Sequence, residues 1–133
     1  MKVYTYKIEI RTRYSETDKM GVVYHGNYAQ FLEIARVEWL RDLGISYKWM
    51  EDNGVVLPVI SLHINYHKSA YYDDVLSIKI SLSKMPSVRI EFDYEITNEK
   101  GEIITTANTV LAFIDMASGR PIRCPDYILE KLQ

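Results

Sequence analysis

Cysteine is almost absent from this sequence, which has a single one, Cys124, among its 133 residues. One cysteine cannot form a disulfide within the chain, and we therefore expect a reducing, cytoplasmic environment. Long apolar runs are missing too: no stretch of about 18 or more apolar residues occurs, so no membrane-spanning helix is expected. Residues 1–18 scatter their charges and lack the pattern of a signal peptide.

An excess of one charge is also missing, since 16 Lys and Arg stand against 18 Asp and Glu, for a net charge of -2. This balance gives no indication of nucleic-acid binding. The histidines and Cys124 do not have the spacing of metal ligands, and we expect neither a metal nor a cofactor. No glycine-rich phosphate loop and no Gly-x-Ser-x-Gly motif occurs, so a serine hydrolase is not expected.

Glycine and proline are scattered along the chain, six and four in number, and form no linker. Repeats and low-complexity segments are absent as well. Domains usually have about 100–200 residues, so residues 1–133 are predicted to form a single domain.

The strongest periodicity in the sequence predicts a helix over residues 28–43. Its apolar residues recur at the spacing of one buried helix face. Asn27 is the natural N-cap of this helix, and Gly44 is the natural residue at which it ends. The apolar positions are Tyr28, Phe31, Leu32, Ala35, Trp39, Leu40 and Leu43.

Five strands are predicted around this helix. The first, over residues 3–13, alternates and places Tyr4, Tyr6, Ile8 and Ile10 on one face. The other strands are predicted near residues 55–67, 74–84, 87–98 and 102–115, with short helices over 46–52 and 126–132. The last strand is apolar or small on both faces and is expected to be central.

One long helix against one antiparallel sheet is an α+β architecture. A single helix would leave much of such a sheet uncovered. The eleven tyrosines of the chain suggest broad amphipathic surfaces that contacts between subunits would bury. We therefore expect a dimer or a larger oligomer.

Asp18 and His25 lie on the segment YSETDKMGVVYHGNY, which leads into the long helix. The unpaired N–H groups and partial positive charge of a helix N-terminus can stabilise the oxyanion that forms when a carbonyl is attacked. Asp18 could serve there as base or nucleophile. A loop aspartate also commonly forms a turn or cap, and His25 could equally pack or hydrogen-bond at the start of the helix. The residues alone leave both interpretations open.

The run RYSETDKMGVVYHGNYAQFLEIARVEWLRDLG, residues 13–44, resembles the signature of hotdog-fold acyl-CoA thioesterases of the 4-hydroxybenzoyl-CoA thioesterase and YbgC type. A weaker resemblance continues through residues 64–78 and 83–96. The resemblance implies a five-stranded antiparallel sheet that wraps the long helix. It also implies dimers that pair their sheets edge to edge, with sites at the interface, and homotetramers are common in the family.

By this resemblance Asp18 is the catalytic carboxylate, and the backbone amide of His25 polarises the thioester carbonyl. Tyr24 and the His25 side chain match positions close to the site. The implied reaction hydrolyses an acyl-CoA to free acid and coenzyme A. Two departures put the choice of substrate in doubt: Lys19-Met20 stand where the family often has Ala-Gly, and Tyr66–Ala70 reads Tyr-His-Lys-Ser-Ala where many relatives have Tyr-Leu-Lys-Pro-Ala.

Four further residues are candidates for binding the substrate: Lys68, Lys84, Ser87 and Arg89. The three basic ones could meet the phosphates of coenzyme A. Exposed Lys and Arg side chains are, however, usually only solvated.

Two other polar residues have mainly structural interpretations. Glu33 lies on the long helix, and some hotdog thioesterases use a helix carboxylate. Its neighbour one turn on, Arg36, is a plausible ion-pair partner, which favours a structural role. His63 lies in a predicted strand and is expected to be a packed or surface histidine.

Three functions compete at this stage. The first is an acyl-CoA thioesterase. The second is a hotdog dehydratase acting on acyl thioesters, which the order of the aspartate and the helix disfavours. The third is a non-catalytic acyl-CoA-binding protein, which would have no need of a carboxylate at Asp18 beside a polarised carbonyl.

Overall fold

The computed structural model of the chain describes residues 4–82 and 84–133. Its helices are α1 Tyr28–Asp42, α2 Tyr47–Asp52 and α3 Asp126–Leu132, with 3-10 turns at Tyr14–Glu16 and His25–Asn27. Its strands are β1 Tyr4–Arg11, β2 Val55–Val56, β3 Val59–Tyr66, β4 Val75–Leu82, β5 Arg89–Thr97, β6 Ile103–Ala112 and β7 Ile114–Asp115. Positions 3 and 83 of the predicted strands lie outside the described residues.

Five strands form one antiparallel sheet in the order β1-β4-β5-β6-β3. Helix α1 packs on one face of this sheet, chiefly over β1 and β4. The predicted α+β architecture, one long helix against a five-stranded antiparallel sheet, is confirmed. The strand that was expected to be central, β6, lies inside the sheet, but β5 is its middle strand.

Two of the predicted strands are wrong in length, because each is divided by a change of partner. The strand predicted over 55–67 divides before β3 at Pro58, whose nitrogen carries no N–H for a ladder. The preceding strand β2 pairs instead with β7 in a separate two-stranded sheet. The strand predicted over 102–115 divides at Phe113, whose N–H donates to the carbonyl of Val88.

The apolar stripe of α1 is buried as predicted. Trp39 is fully buried, with its indole edge-on to the rings of Tyr4 at 5.0 Å and Phe92 at 4.9 Å. Gly44, with φ +86°, ends the helix. Its N–H donates to the carbonyl of Arg41 and the next N–H donates to that of Leu40, which is the Schellman arrangement.

Polar side chains cover the sheet face that points away from α1. Lys7 pairs with Lys79 across β1 and β4, and Asp93 accepts a hydrogen bond from Asn108 across β5 and β6. The uncovered face is therefore polar, and the expected oligomer stays a prediction. Exposed apolar side chains are concentrated on the edge strand β3: Val59, Ile60, Leu62 and Tyr66.

No helix among the described residues is both long enough and apolar enough to cross a membrane.

The first testable prediction concerns Leu40, which is 2% exposed in the core. Leu40→Ala should lower the free energy of unfolding by about 2–5 kcal/mol, because truncation loses buried surface and leaves a cavity. Chemical denaturation measures the change. Ile34→Ala, at an exposed position of the same helix, is the control and should change the free energy by less than about 1 kcal/mol. A loss below about 0.5 kcal/mol for Leu40→Ala would contradict its place in the core.

Candidate active site

Asp18 lies in a tight turn that precedes α1. Its Oδ1 accepts a hydrogen bond from the N–H of Met20 at 2.8 Å. Gly21 closes the turn with φ +79°, a conformation that favours glycine, and its N–H donates to the carbonyl of Asp18. The turn-forming interpretation thus accounts for one carboxylate oxygen, while Oδ2 accepts no hydrogen bond from the described residues and the side chain is exposed.

Two backbone N–H groups, those of His25 and Gly26, are free at the start of α1. Both belong to the 3-10 turn that continues into the helix, and neither donates to an acceptor in residues 4–82 or 84–133. Asn27 is the N-cap residue of α1, as predicted, but its backbone is helical and its side chain accepts no helix N–H. Free amides at this end carry the partial positive charge of the helix, which suits an oxyanion.

The main-chain carbonyl of Glu16 holds this turn in place. It accepts the N–H of Tyr24 at 2.9 Å and the side-chain amide of Asn27 at 2.8 Å. Glu16 is itself fixed, since it is buried and its carboxylate accepts from the N–H and the guanidinium of Arg13. Asn27 therefore braces the start of α1 against the preceding loop instead of capping the helix.

Aromatic rings surround the free amides. The Tyr24 ring lies so close to Gly26 that a Cβ at this glycine would stand 2.5 Å from the ring atom Cε2. The His25 imidazole lies between Tyr24 and Tyr66, with ring centroids 4.4 Å and 6.0 Å away. The Tyr66 hydroxyl donates to the His25 carbonyl at 3.3 Å, which orients the peptide that carries the Gly26 N–H.

Asp18 and His25 line one open cleft of about 330 Å³. The structure thus brings together two of the three predicted catalytic residues. Tyr24 does not line this cleft, and packs beside His25 instead. Tyr66 was not predicted to be a site residue, and the only signal was its place in a segment that departs from the family. The other residues of the cleft are Val22, Val23, Tyr28, His67, Lys68 and Ser69.

The remaining candidates are divided between two places. Lys84, Ser87 and Arg89 line a separate recess of about 360 Å³ at the turn between β4 and β5. This turn is at the far end of β4 from the Asp18 cleft, and the length of that strand, Val75–Leu82, is about 23 Å. Lys68 is not with them, since it lines the cleft and forms an ion pair with Glu102.

Arg36 was expected to form an ion pair with Glu33, but it is buried, with 7% of its surface exposed. The expectation is wrong, because the Arg36 side chain turns into the core and its Nη1 donates to the Tyr94 hydroxyl at 3.2 Å. No carboxylate of the described residues lies within ion-pair distance of Arg36. The sequence did contain a signal for the burial of Arg36. This residue falls four positions after Leu32 and three before Trp39, and therefore lies on the apolar stripe of the helix.

Other titratable groups lie outside the cleft. His63 is exposed on β3, as one of its two interpretations predicted. Cys124 is buried, and burial raises the pKa of its thiol to about 12. Within the part of the chain that the structure describes, no group of His, Cys, Asp and Glu could hold a metal ion.

Comparison with known proteins shows the family of the chain. A family model for the thioesterase-like superfamily matches residues 12–132. The chain belongs to this superfamily. It is 35% identical to the putative acyl-CoA thioesterase YneP of Bacillus subtilis, over 88% of this chain and 85% of that protein. It is 27% identical to the acyl-CoA thioester hydrolase YbgC of Escherichia coli O6:H1, over 100% of this chain and 99% of that protein.

The solved structures give the same family. A DHNA-CoA thioesterase from Staphylococcus aureus superimposes with a TM-score of 0.88 and 44% identity, over 95% of this chain and 85% of that one. The fold is the hotdog fold, and the resemblance carried by residues 13–44 is confirmed.

The second testable prediction concerns the brace made by Asn27. Asn27→Ala should lower the free energy of unfolding by about 1 kcal/mol, because it removes the half-buried hydrogen bond to the Glu16 carbonyl. Chemical denaturation again gives the value. Gln30→Ala is the control: Gln30 is exposed on α1, has no side-chain hydrogen bond within the described residues, and should change the free energy by less than about 0.5 kcal/mol. Equal values for the two variants would argue against the brace.

Proposed function

We propose that the cleft around Asp18 hydrolyses the thioester bond of an acyl-CoA and releases a free acid and coenzyme A. The class of activity follows from the family: the chain is an acyl-CoA thioesterase. One observation assigns the reaction to this cleft in our proposal. A carboxylate oxygen of Asp18 without a partner stands at the same opening as His25, whose backbone N–H is free.

In the proposed mechanism the thioester carbonyl oxygen accepts a hydrogen bond from the His25 N–H, at the positive end of α1. This contact stabilises the oxyanion as the carbonyl carbon is attacked. Asp18 either removes a proton from the attacking water or attacks the carbon itself and forms an anhydride that water then opens. In both cases the C–S bond breaks, and the coenzyme A thiolate leaves and takes up a proton.

The aromatic side chains have supporting roles in this proposal. The His25 ring lines the cleft and contacts the substrate. It transfers no proton in this proposal, because Asp18 has that role. Tyr24 lies outside the cleft and acts as a positioning residue, because its ring packs on Gly26 and on the His25 imidazole. Tyr66 has a similar role through its hydrogen bond to the His25 carbonyl.

A dimer that pairs two copies of β3 is part of the proposal. β3 is an edge strand whose exposed apolar side chains suit an antiparallel match with a second copy of itself. The other edge strand, β1, alternates its apolar side chains with exposed Lys7, Glu9 and Arg11, which oppose such pairing. A homotetramer of two such dimers is the larger assembly that we propose.

This dimer would also bring the separate recess at Lys84, Ser87 and Arg89 of one subunit near the Asp18 cleft of the other. Arg89 pairs with Ala112 in β6, at the same end of the sheet as Val59, the first residue of β3. Antiparallel pairing of two β3 strands brings this end of one subunit beside the Tyr66 end of the other. Lys84 of the partner subunit and its neighbours would then bind the coenzyme A phosphates of a thioester held at Asp18.

For the acyl group we propose an aromatic acid of the 1,4-dihydroxy-2-naphthoic type. The Staphylococcus aureus relative is described as a DHNA-CoA thioesterase, and two tyrosines and two histidines line the cleft. A cytoplasmic location completes the proposal, supported by the buried free thiol of Cys124.

The third prediction tests the dimer. Light scattering of the purified chain should give the mass of a dimer or a tetramer at micromolar concentration. Leu62→Asp puts a charge on the exposed face of β3 and should give monomers, whereas Lys7→Asp on β1 should leave the mass unchanged. A monomeric wild-type protein would remove the basis for a site shared between subunits.

The fourth prediction tests Asp18. Asp18→Asn keeps the size of the side chain but removes its charge and most of its basicity. The kcat for acyl-CoA hydrolysis should fall by about 100-fold or more, and KM should change much less, because the group acts in the transition state. Thiol release followed with a thiol-reactive dye measures both constants.

Asp73→Asn is the matched control, since Asp73 is exposed and pairs with Arg11 on the surface. It should leave kcat within about twofold of the wild type, as surface changes do. Near wild-type turnover by Asp18→Asn would make the assignment wrong and leave Glu33 as the next carboxylate to test. Binding of acyl-CoA without any hydrolysis by the wild type would instead favour the non-catalytic alternative.

A further inference from the structure

An open pocket of about 490 Å³ lies where the end of α1 meets α2 and α3. Its apolar walls are Ile45, Trp49 and Tyr127, and the Trp49 and Tyr127 rings meet edge to face at 4.9 Å. Trp49 is half exposed, although the only other tryptophan, Trp39, is fully buried. The pocket therefore presents aromatic surface to solvent, in a volume that suits a small molecule.

Two cations line the same pocket, Arg41 from the last turn of α1 and Lys131 from the last turn of α3. Both side chains are exposed, so their donors are accessible. Arg41 pairs with Glu38 through Nε and keeps both Nη groups available. Lys131 forms no ion pair with residues 4–82 or 84–133. The pocket thus offers charged donors that the described part of the chain does not use.

The charge of this pocket differs from that of the other two sites. The Asp18 cleft and the recess at Lys84 each contain a carboxylate, whereas no carboxylate of the described residues lines this pocket. The Tyr127 hydroxyl stays neutral, because burial raises its pKa. The side chains that line the pocket therefore carry two positive charges and no negative one.

A cation in the last turn of a helix often has a simpler role, since it complements the helix dipole. In α1, however, the carbonyls of Leu40 and Arg41 already accept the N–H groups of Ile45 and Gly44. The Arg41 guanidinium is therefore not needed as a cap for this helix. Two cations from different helices line one aromatic pocket, which favours a ligand over two separate dipole contacts.

The walls of the pocket distinguish between kinds of ligand. A carboxylate accepts from a guanidinium and from an ammonium, and its two oxygens match the fork of an arginine. A flat apolar body would cover the exposed rings, which gain most from burial. A neutral ligand would leave both cations without an anion, and an inorganic anion would leave the rings uncovered. An aromatic carboxylate satisfies both parts of the pocket.

We propose that this pocket binds a small aromatic carboxylate. Arg41 and Lys131 bind its carboxylate group, and its ring packs against Trp49 and Tyr127. The 15 residues of α1 span about 22 Å, and the Asp18 cleft lies at the start of this helix. The pocket is therefore a second site, and the inference does not depend on the reaction that we propose at the first.

The test follows the binding of 2-naphthoate to the ¹⁵N-labelled protein by NMR. The indole N–H signal of Trp49 should move on titration with a Kd of about 0.1–1 mM, as expected for a ligand of this size. The signal of the buried Trp39 should stay in place, and Trp49→Phe identifies which signal is which. A Trp49 signal that does not move at millimolar naphthoate would overturn the inference, even if the Asp18 cleft bound the same acid.

The role of the cations is tested by comparing 2-naphthoate with the neutral 2-naphthamide. The wild type should bind the carboxylate about tenfold or more tightly than the amide, because only the carboxylate forms charged hydrogen bonds. Arg41→Gln combined with Lys131→Gln should bring the two affinities within about twofold of each other.

Lys48→Gln is the matched control, because it removes an exposed cation of α2 that does not line the pocket. It should leave the preference for the carboxylate unchanged. Equal affinities in the wild type, or a preference that the double variant retains, would contradict the inference.

A second copy of the chain is the other occupant that an exposed aromatic pocket would suit. Light scattering distinguishes it from a small ligand. Trp49→Ala should leave the mass of the wild-type assembly unchanged, because we assign Trp49 to a ligand. A smaller mass for Trp49→Ala would show that the pocket is a contact between subunits, and would overturn the inference.

Discussion

The two hydrogen bonds accepted by the Glu16 carbonyl are the constraint on which the site depends. They tie the Tyr24 backbone and the Asn27 side chain to a residue that is itself buried and held by Arg13. The 3-10 turn at the start of α1 is therefore fixed from outside the helix, and its own amides need not be capped. Were Asn27 an ordinary N-cap, its side chain would accept from the N–H of Ala29 or Gln30 in the first turn of α1 and would not tie that turn to Glu16.

The same loop sets Asp18 beside these amides. A short antiparallel bridge between Thr17 and Val23 encloses the turn that contains Asp18, and Gly21 makes that turn possible through its positive φ. One oxygen of the carboxylate holds the turn and the other remains available. A carboxylate and a helix terminus are thus held together by backbone geometry, which explains how an exposed side chain can have a defined position.

The sequence predicted those parts of the fold that follow from periodicity. The apolar stripe from Tyr28 to Leu43 and the alternation in β1 and β5 reflect burial on one face. Such burial produces a regular spacing of apolar residues that can be read from the sequence alone. The break at Pro58 was missed although proline signals it, because the apolar residues on both sides continue one strand-like pattern. The prediction that Asp18 acts together with the His25 amide came from the resemblance, since the spacing alone favoured a turn or cap role for Asp18.

Other features depend on contacts that local sequence does not contain. The inward turn of Arg36 requires Tyr94, which is far away in the chain. The separation of Lys84 and Arg89 from Asp18 follows from their places at opposite ends of β4, and in our proposal a second subunit brings two such ends together. The edge strand β3 ends at the cleft, because its last residue, Tyr66, lines it.

The most direct test of the central claim is a crystal structure of the Asp18→Asn protein with an unhydrolysed acyl-CoA bound. The Asp18→Asn substitution should preserve binding of the acyl-CoA and block its hydrolysis, so that the structure contains the intact thioester. The thioester carbonyl oxygen should then lie about 2.7–3.1 Å from the backbone nitrogen of His25, with residue 18 beside the carbonyl carbon. A thioester bound away from the start of α1, with the His25 amide unoccupied, would contradict the assignment of this cleft as the active site.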